Sequence, residues 1–158
     1  MFGDSAAVGS DAEVDPTGLE ALSRAECLAL LATAPVGRIV YTERALPAVR
    51  PVKFVLHDDV VVIHASAGGP LADAANNAVV AFEADHFSDV PHRGWSVTLL
   101  GRAKEVTDPE RVSEFCTLGL EPWTPAIRGH FVVISIEAIS GWRIPSSDRS
   151  VQAYTESR

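Results

Sequence analysis

A chain of 158 residues, 47% apolar and 22% charged, has the size and composition of one globular domain. Thirteen Lys and Arg stand against 21 Asp and Glu, and the net charge of -8 repels phosphate backbones and anionic lipid, which argues against nucleic acid and membrane partners. Nothing approaches the roughly 20 unbroken apolar residues of a spanning helix and no signal-peptide pattern is present, so a cytoplasmic location is expected.

Residues 1–18, rich in Gly, Ser, Ala and Asp and without an apolar period, read as a mobile leader. Ser23 followed by Glu26 is a capping box, and Leu22, Cys27, Leu30 and Leu31 fall at helical spacing, which predicts a helix over about 23–34, ended by Pro35. The period then switches to two. Residues 36–42, 48–56 and 60–65 read as strands, the last two joined at His57-Asp58-Asp59 by a turn of hairpin length. Gly68, Gly69 and Pro70 break the sheet, and 71–77 read as a short crossover helix with Pro70 near its start.

Residues 78–84 read as a further strand. Over 95–106, Val97, Leu99, Gly101 and Ala103 face one way and Ser96, Thr98, Arg102 and Lys104 largely the other, as in a long barrel strand. Asp108 is an N-cap with Pro109 at the first helical position, opening a helix to about Phe115. Residues 131–144 read as one last strand, bent at Gly141, and 146–158 as a tail, so the domain spans 19–145.

Cys27 and Cys116 lack metal-ligand spacing and read as small buried residues. His57, His86, His92 and His130 read as structural or solvated, and Glu83, Asp85 and Asp89 as a solvated loop face. About six strands with short helices and no repeated β-helix-β unit make a mainly β fold, a small antiparallel barrel. The usual phosphate-loop, dinucleotide, metalloprotease and nucleophile-elbow motifs are all missing.

Several strings carry more than composition: LSRAECL at 22–28, PVGRI at 35–39, PAVRPVKF at 47–54, HASAGGPL at 64–71, VAFE at 80–83, GWSV at 94–97 with GRA at 101–103, and Pro122-Trp123 ahead of His130-Phe131. In this order, over 19–144, they resemble the flavin-binding split barrels of the pyridoxamine 5'-phosphate oxidase-like family. The resemblance implies a six-stranded antiparallel split β-barrel, assembled as a homodimer with two flavin sites at the subunit interface. It implies that the backbone of Val52, Lys53 and Phe54 lies along the pyrimidine side of the flavin ring. His64, Ala65, Ser66, Pro70 and Leu71 then approach the phosphate, while Trp95, Ser96, Trp123 and Arg128 come from the partner subunit.

Relatives of this kind commonly carry Arg and a hydroxyl residue near the positions of His64 and Ala65, and Lys near Pro70. Losing those cations weakens the hold on the terminal phosphate of FMN, since charge-assisted hydrogen bonds are about twice as strong as neutral ones. A protonated His64, the Ser66 hydroxyl and the amides of Gly68 and Gly69 replace part of that hold. FAD is therefore favoured over FMN, with the deazaflavin F420 as an alternative. Lys53 reads equally as an outward strand charge, nothing distinguishes Arg50 from Arg102, and Trp95, Trp123 and Trp142 read also as core or dimer-contact aromatics. With no recognisable acid, base or nucleophile, the expected role is to carry or sequester a flavin nucleotide. A flavin- or F420-dependent oxidoreductase acting on a small molecule is the alternative, and a cofactor-free dimeric structural domain the second. Oxidation of pyridoxamine phosphate itself is disfavoured, because no second Arg or Lys cluster offers a pocket for the substrate's phosphate.

Overall fold

The computed structural model describes residues 15–66, 68–69, 71–89, 93–123 and 129–145. Pro70, Arg128, residues 1–14 of the leader and the 146–158 tail lie outside them. Asp15 to Gly18, within the expected leader, form a turn in which the Asp15 carboxylate accepts from the amides of Thr17 and Leu19. After it come β1 (Glu20–Ala21) and α1 (Arg24–Leu31). The capping box forms as expected: the Ser23 hydroxyl accepts from the Glu26 amide at 3.3 Å and the Glu26 carboxylate from the Ser23 amide at 2.8 Å. The helix stops at Leu31, short of Ala34, because residues ahead of a proline avoid the helical region; the Thr33 and Ala34 amides turn back three residues to Leu30 and Leu31.

β2 (Val36–Glu43), β3 (Leu46–His57) and β4 (Val60–Ser66) form a meander. Its two tight turns place Arg44 and Ala45 at φ 51° and 63°, and Asp58 and Asp59 at 47° and 57°, the left-handed pairs that let two residues reverse a twisted hairpin. α2 (Leu71–Ala74) is one turn rather than the expected seven residues, and Asn76 already opens β5 (Asn76–Ser88). β6 (Arg93–Glu105) follows, then α3 (Pro109–Cys116), capped by Asp108, which accepts from the Glu110 amide at 3.1 Å.

β7 (Gly129–Ser135) and β8 (Ala138–Arg143) correct the expectation of one bent strand: the break falls at Ile136 and Glu137, not Gly141. It lies opposite Gly101, where a Cβ would sit 1.6 Å from the Ser135 carbonyl oxygen. β6 therefore changes partners along its length, Trp95 to Leu100 pairing with β8 and Ala103 to Glu105 with β7.

Every pairing is antiparallel, and the ring β2-β3-β4-β7-β6-β5 closes a six-strand barrel, with β8 and β1 continuing the sheet from β6. Its interior is filled by Ile39, Phe54, Ile63, Phe82, Leu99 and Ile134 among others. A second apolar cluster, Val62, Val106, Phe115 and Phe131, lies under α3. Cys27 is fully buried but Cys116 is exposed, because Phe115 takes the buried face of α3. His57 is not simply solvated: its Nε2 lies 2.8 Å from Glu114 and 3.3 Å from Asp58, joining α3 to the hairpin. No helix among the described residues is long and apolar enough to cross a membrane.

Glu26 has a second role. Arg143 donates to it at 2.8 Å and to Glu20 at 3.0 and 3.1 Å, tying α1, β1 and β8 together. The Ser23 amide and hydroxyl, with Arg143, hold the Glu26 carboxyl below its usual range. A lowered folded-state pKa adds stability above the ordinary glutamate range that disappears as pH falls through the lowered value. Glu26→Gln should thus lower the melting temperature at pH 7, and the gap to the wild type should close on acidification. Thermal unfolding across pH checks this; a gap constant with pH would contradict it.

Candidate functional site

The barrel is opened by a divergence of β3 and β4. Phe54 to His57 pair with β4, but Leu46 to Lys53 pair only with β2. On the other side, β4 leaves β3 after Ile63, and His64, Ala65 and Ser66 pair only with β7. One backbone edge of 46–53 consequently has no strand partner among the described residues. Pro47 and Pro51 suit this: neither can donate to a ladder, and proline within a sheet belongs on an edge.

A cavity of about 160 Å³ occupies this gap. Arg50, Pro51 and Val52 line it from β3, and His64, Ala65 and Ser66 from β4. Gly69 and Leu71 contribute from the next connection, and Pro122 and Trp123 from the segment between α3 and β7. His64 is held firmly. Its ring stacks on Phe131 with centroids 4.8 Å apart, and its Nδ1 lies 3.3 Å from the Leu120 carbonyl oxygen. A carbonyl only accepts, so Nδ1 carries the proton in this bond. Gly129 makes room for the ring: a Cβ there would come within 2.1 Å of Nε2.

Arg50 is the cavity residue that sequence reasoning did not separate from other strand charges. Its Nε donates to the Tyr41 hydroxyl at 3.4 Å, and that bond pushes the guanidinium pKa up from its ordinary value. The available signal was period two, which puts Arg50 on the same side of β3 as Val52. Lys53 sets its ammonium 5.0 Å from the centroid of the Trp123 ring, a cation–π contact worth about 0.5–1 kcal/mol at an exposed site. Among the described lining residues there is one guanidinium, one imidazole, one hydroxyl and one indole, and no carboxylate.

Six of the expected site residues thus meet at one cavity: Val52, His64, Ala65, Ser66, Leu71 and Trp123. Trp123 lines the cavity of its own chain. Phe54 does not face it; its side chain is buried edge-on against Phe82 at 4.8 Å. Trp95 packs at the edge of the barrel core and lines clefts beside Leu30 and Arg143 and beside Pro35 and His86. Ser96 lies on the outer face, its hydroxyl donating to Glu83 at 3.1 Å. The expected anion nest loses one amide, since Gly69 N–H is engaged by the Ser66 carbonyl at 3.1 Å across a turn with Gly68 at φ 68°. Nor are Glu83 and Asp85 a solvated loop: both sit in β5 and hold Arg38 at 2.9 and 3.0 Å.

A closed antiparallel barrel of six strands, parted between two of them over a cationic cavity, is a split barrel. The chain belongs to the pyridoxamine 5'-phosphate oxidase family, whose model matches residues 23–143. The uncharacterised protein Rv0080 of Mycobacterium tuberculosis is 37% identical over 134 residues, covering 82% of this chain and 88% of the relative. Among solved structures, the FAD binding protein of Mycobacterium smegmatis is 33% identical with a TM-score of 0.67, over 78% of this chain and 95% of that one. A conserved protein of unknown function from Corynebacterium diphtheriae is also 33% identical with a TM-score of 0.67, over 81% of this chain and 98% of its own.

Proposed function

We propose that this protein binds a flavin nucleotide in the gap between β3 and β4, FAD in preference to FMN, and carries or sequesters it at a homodimer interface. The observation that carries this reading is the cavity itself. Among the described residues it combines an unpaired backbone edge, suited to the donors and acceptors of a flavin pyrimidine ring, with Arg50, His64 and Ser66 and no carboxylate, in a chain of net charge -8. The 33% identical M. smegmatis protein, an FAD binding protein by name, supports the same ligand class. In this reading Val52, Lys53 and Phe54 hold the ring through their backbone, and Arg50, His64, Ala65, Ser66 and Leu71 surround the phosphate. Pro70 and Arg128 keep the expected roles as part of the proposal.

About 160 Å³ is too little for a whole flavin, since small-molecule sites run to about 300–1,000 Å³, so a second copy of the chain completes the site. Leu100, Ala81, Val40 and Val49 lie in register across β6, β5, β2 and β3 as an apolar row on the outer face. Leu100 is 49% exposed and Val49 57%. A two-fold axis between β5 and β2 would lay β3 of one copy on β6 of its partner. Ser96 on the outer face of β6, with Trp95 beside it at the edge of its own core, would then lie near the partner's gap.

A bound flavin supplies electron-transfer chemistry. The described lining residues offer it no carboxylate, thiol or phenol for proton transfer, and His64 already spends Nδ1 on Leu120; both favour holding over turnover. The test is the absorbance and mass of the small molecule released from freshly purified protein. Arg50→Ala should weaken FMN and FAD by about tenfold to a hundredfold, the range of a lost charge-assisted hydrogen bond, and leave riboflavin, which has no phosphate, almost unchanged. Equal loss of all three would overturn the phosphate role. Steady turnover with NADPH or reduced F420 would replace the carrier with the oxidoreductase.

A further inference from the structure

We propose that Trp123 is the platform on which an adenine ring stacks, so that this site takes adenine nucleotides and discriminates dinucleotides from mononucleotides. The proposal rests on the flavin-site reading above and assigns it a subsite. Trp123 stands at the mouth of the gap 59% exposed, although burial is the common fate of an indole. Two contacts nevertheless hold it in place. The Lys53 ammonium sits over the ring at 5.0 Å, and three residues earlier Leu120 is bonded to His64, so the segment is pinned to β3 at one end and to β4 at the other.

An oriented indole with free surface, beside the cations Arg50 and Lys53 and with no carboxylate among the described lining residues, is suited to an aromatic base joined to phosphates. Position assigns the base. In the reading above the flavin ring takes the backbone edge of β3 and its phosphate meets Arg50, His64 and Ser66, so the chain of a dinucleotide continues from there toward Pro122 and Trp123 at the mouth. FMN, which has no second base, leaves that ring bare.

The experiment measures affinities of the whole 158-residue chain for FAD, FMN, riboflavin and ADP, in the wild type, Trp123→Ala and Trp123→Phe. Base–aromatic stacking implies that Trp123→Ala weakens FAD and ADP by about tenfold or more and shifts FMN and riboflavin by no more than about twofold, while Trp123→Phe keeps most of the affinity. A common loss of FAD and FMN would put Trp123 against the flavin ring instead and overturn the proposal, as would unchanged FAD and ADP affinities. Failure of the flavin reading is a separate result, in which the wild type binds no flavin at all. The ADP arm then decides: binding lost in Trp123→Ala upholds the platform, and no binding of ADP to the wild type overturns it.

Discussion

With aspartate in place of both Leu100 and Val49, the protein is expected to sediment as a monomer at micromolar concentration and to release its flavin. In an isolated chain these side chains are about half exposed, so the changes should cost the fold little, within the roughly 0.5 kcal/mol usual for surface substitutions. Across the proposed two-fold axis the same changes set four carboxylates into a row whose own members, Leu100, Ala81, Val40 and Val49, are all apolar. An uncompensated charge in such a place costs several kcal/mol, enough together to raise a dimer dissociation constant more than about a thousandfold. Sedimentation equilibrium and flavin absorbance report the two consequences, and far-ultraviolet circular dichroism checks that the barrel persists. A double variant that stays dimeric would remove this face from the assembly, and a monomeric wild type would remove the assembly altogether.

Phe82→Ala is expected to lower stability by about 3–5 kcal/mol, the range for deleting a fully buried aromatic ring. Phe82 is wholly buried on β5 and meets the edge of Phe54 at 4.8 Å. Its ring also fills the space that glycine leaves at position 37, where a Cβ would come within 2.2 Å of the Phe82 ring. β2, β3 and β5 therefore interlock through one side chain, and a smaller residue leaves a cavity that the closed sheet cannot readily collapse. Against the about 5–15 kcal/mol of a typical domain the loss is a large fraction. Urea unfolding measures it; a change below about 1 kcal/mol would show the interlock to be dispensable. Phe54 is the first β3 residue to pair with β4, so the same variant should also loosen the base of the gap and weaken ligand binding.

The signals that read correctly from the sequence act over a few residues. The capping box of Ser23 and Glu26, the Asp108 cap before Pro109, and the alternation of Val97, Leu99 and Ala103 each depend on bonds or spacing within one element. The length of the β3–β4 turn marked the hairpin, and its two aspartates tolerate the left-handed backbone that the turn takes. Order along the chain, with the family resemblance, was then enough for the split barrel and for most of one wall of the cavity.

What the sequence left open depends on residues far apart in it. Nothing near Glu83 or Asp85 announces that Arg38 will lie between them, 45 and 47 positions away, nor near Arg143 that it will clasp Glu20 across 123. The break between β7 and β8 follows from Gly101 on another strand, where the backbones approach too closely for a side chain. Arg50 looked like any exposed strand cation until β3 and β4 parted beside it. The sequence by itself determined the elements and their alternation, because hydrogen bonds and steric limits within a few residues decide those. Only the tertiary structure decided where the sheet opens and which charges and rings share the opening, because sheet closure brings together side chains that no local rule connects.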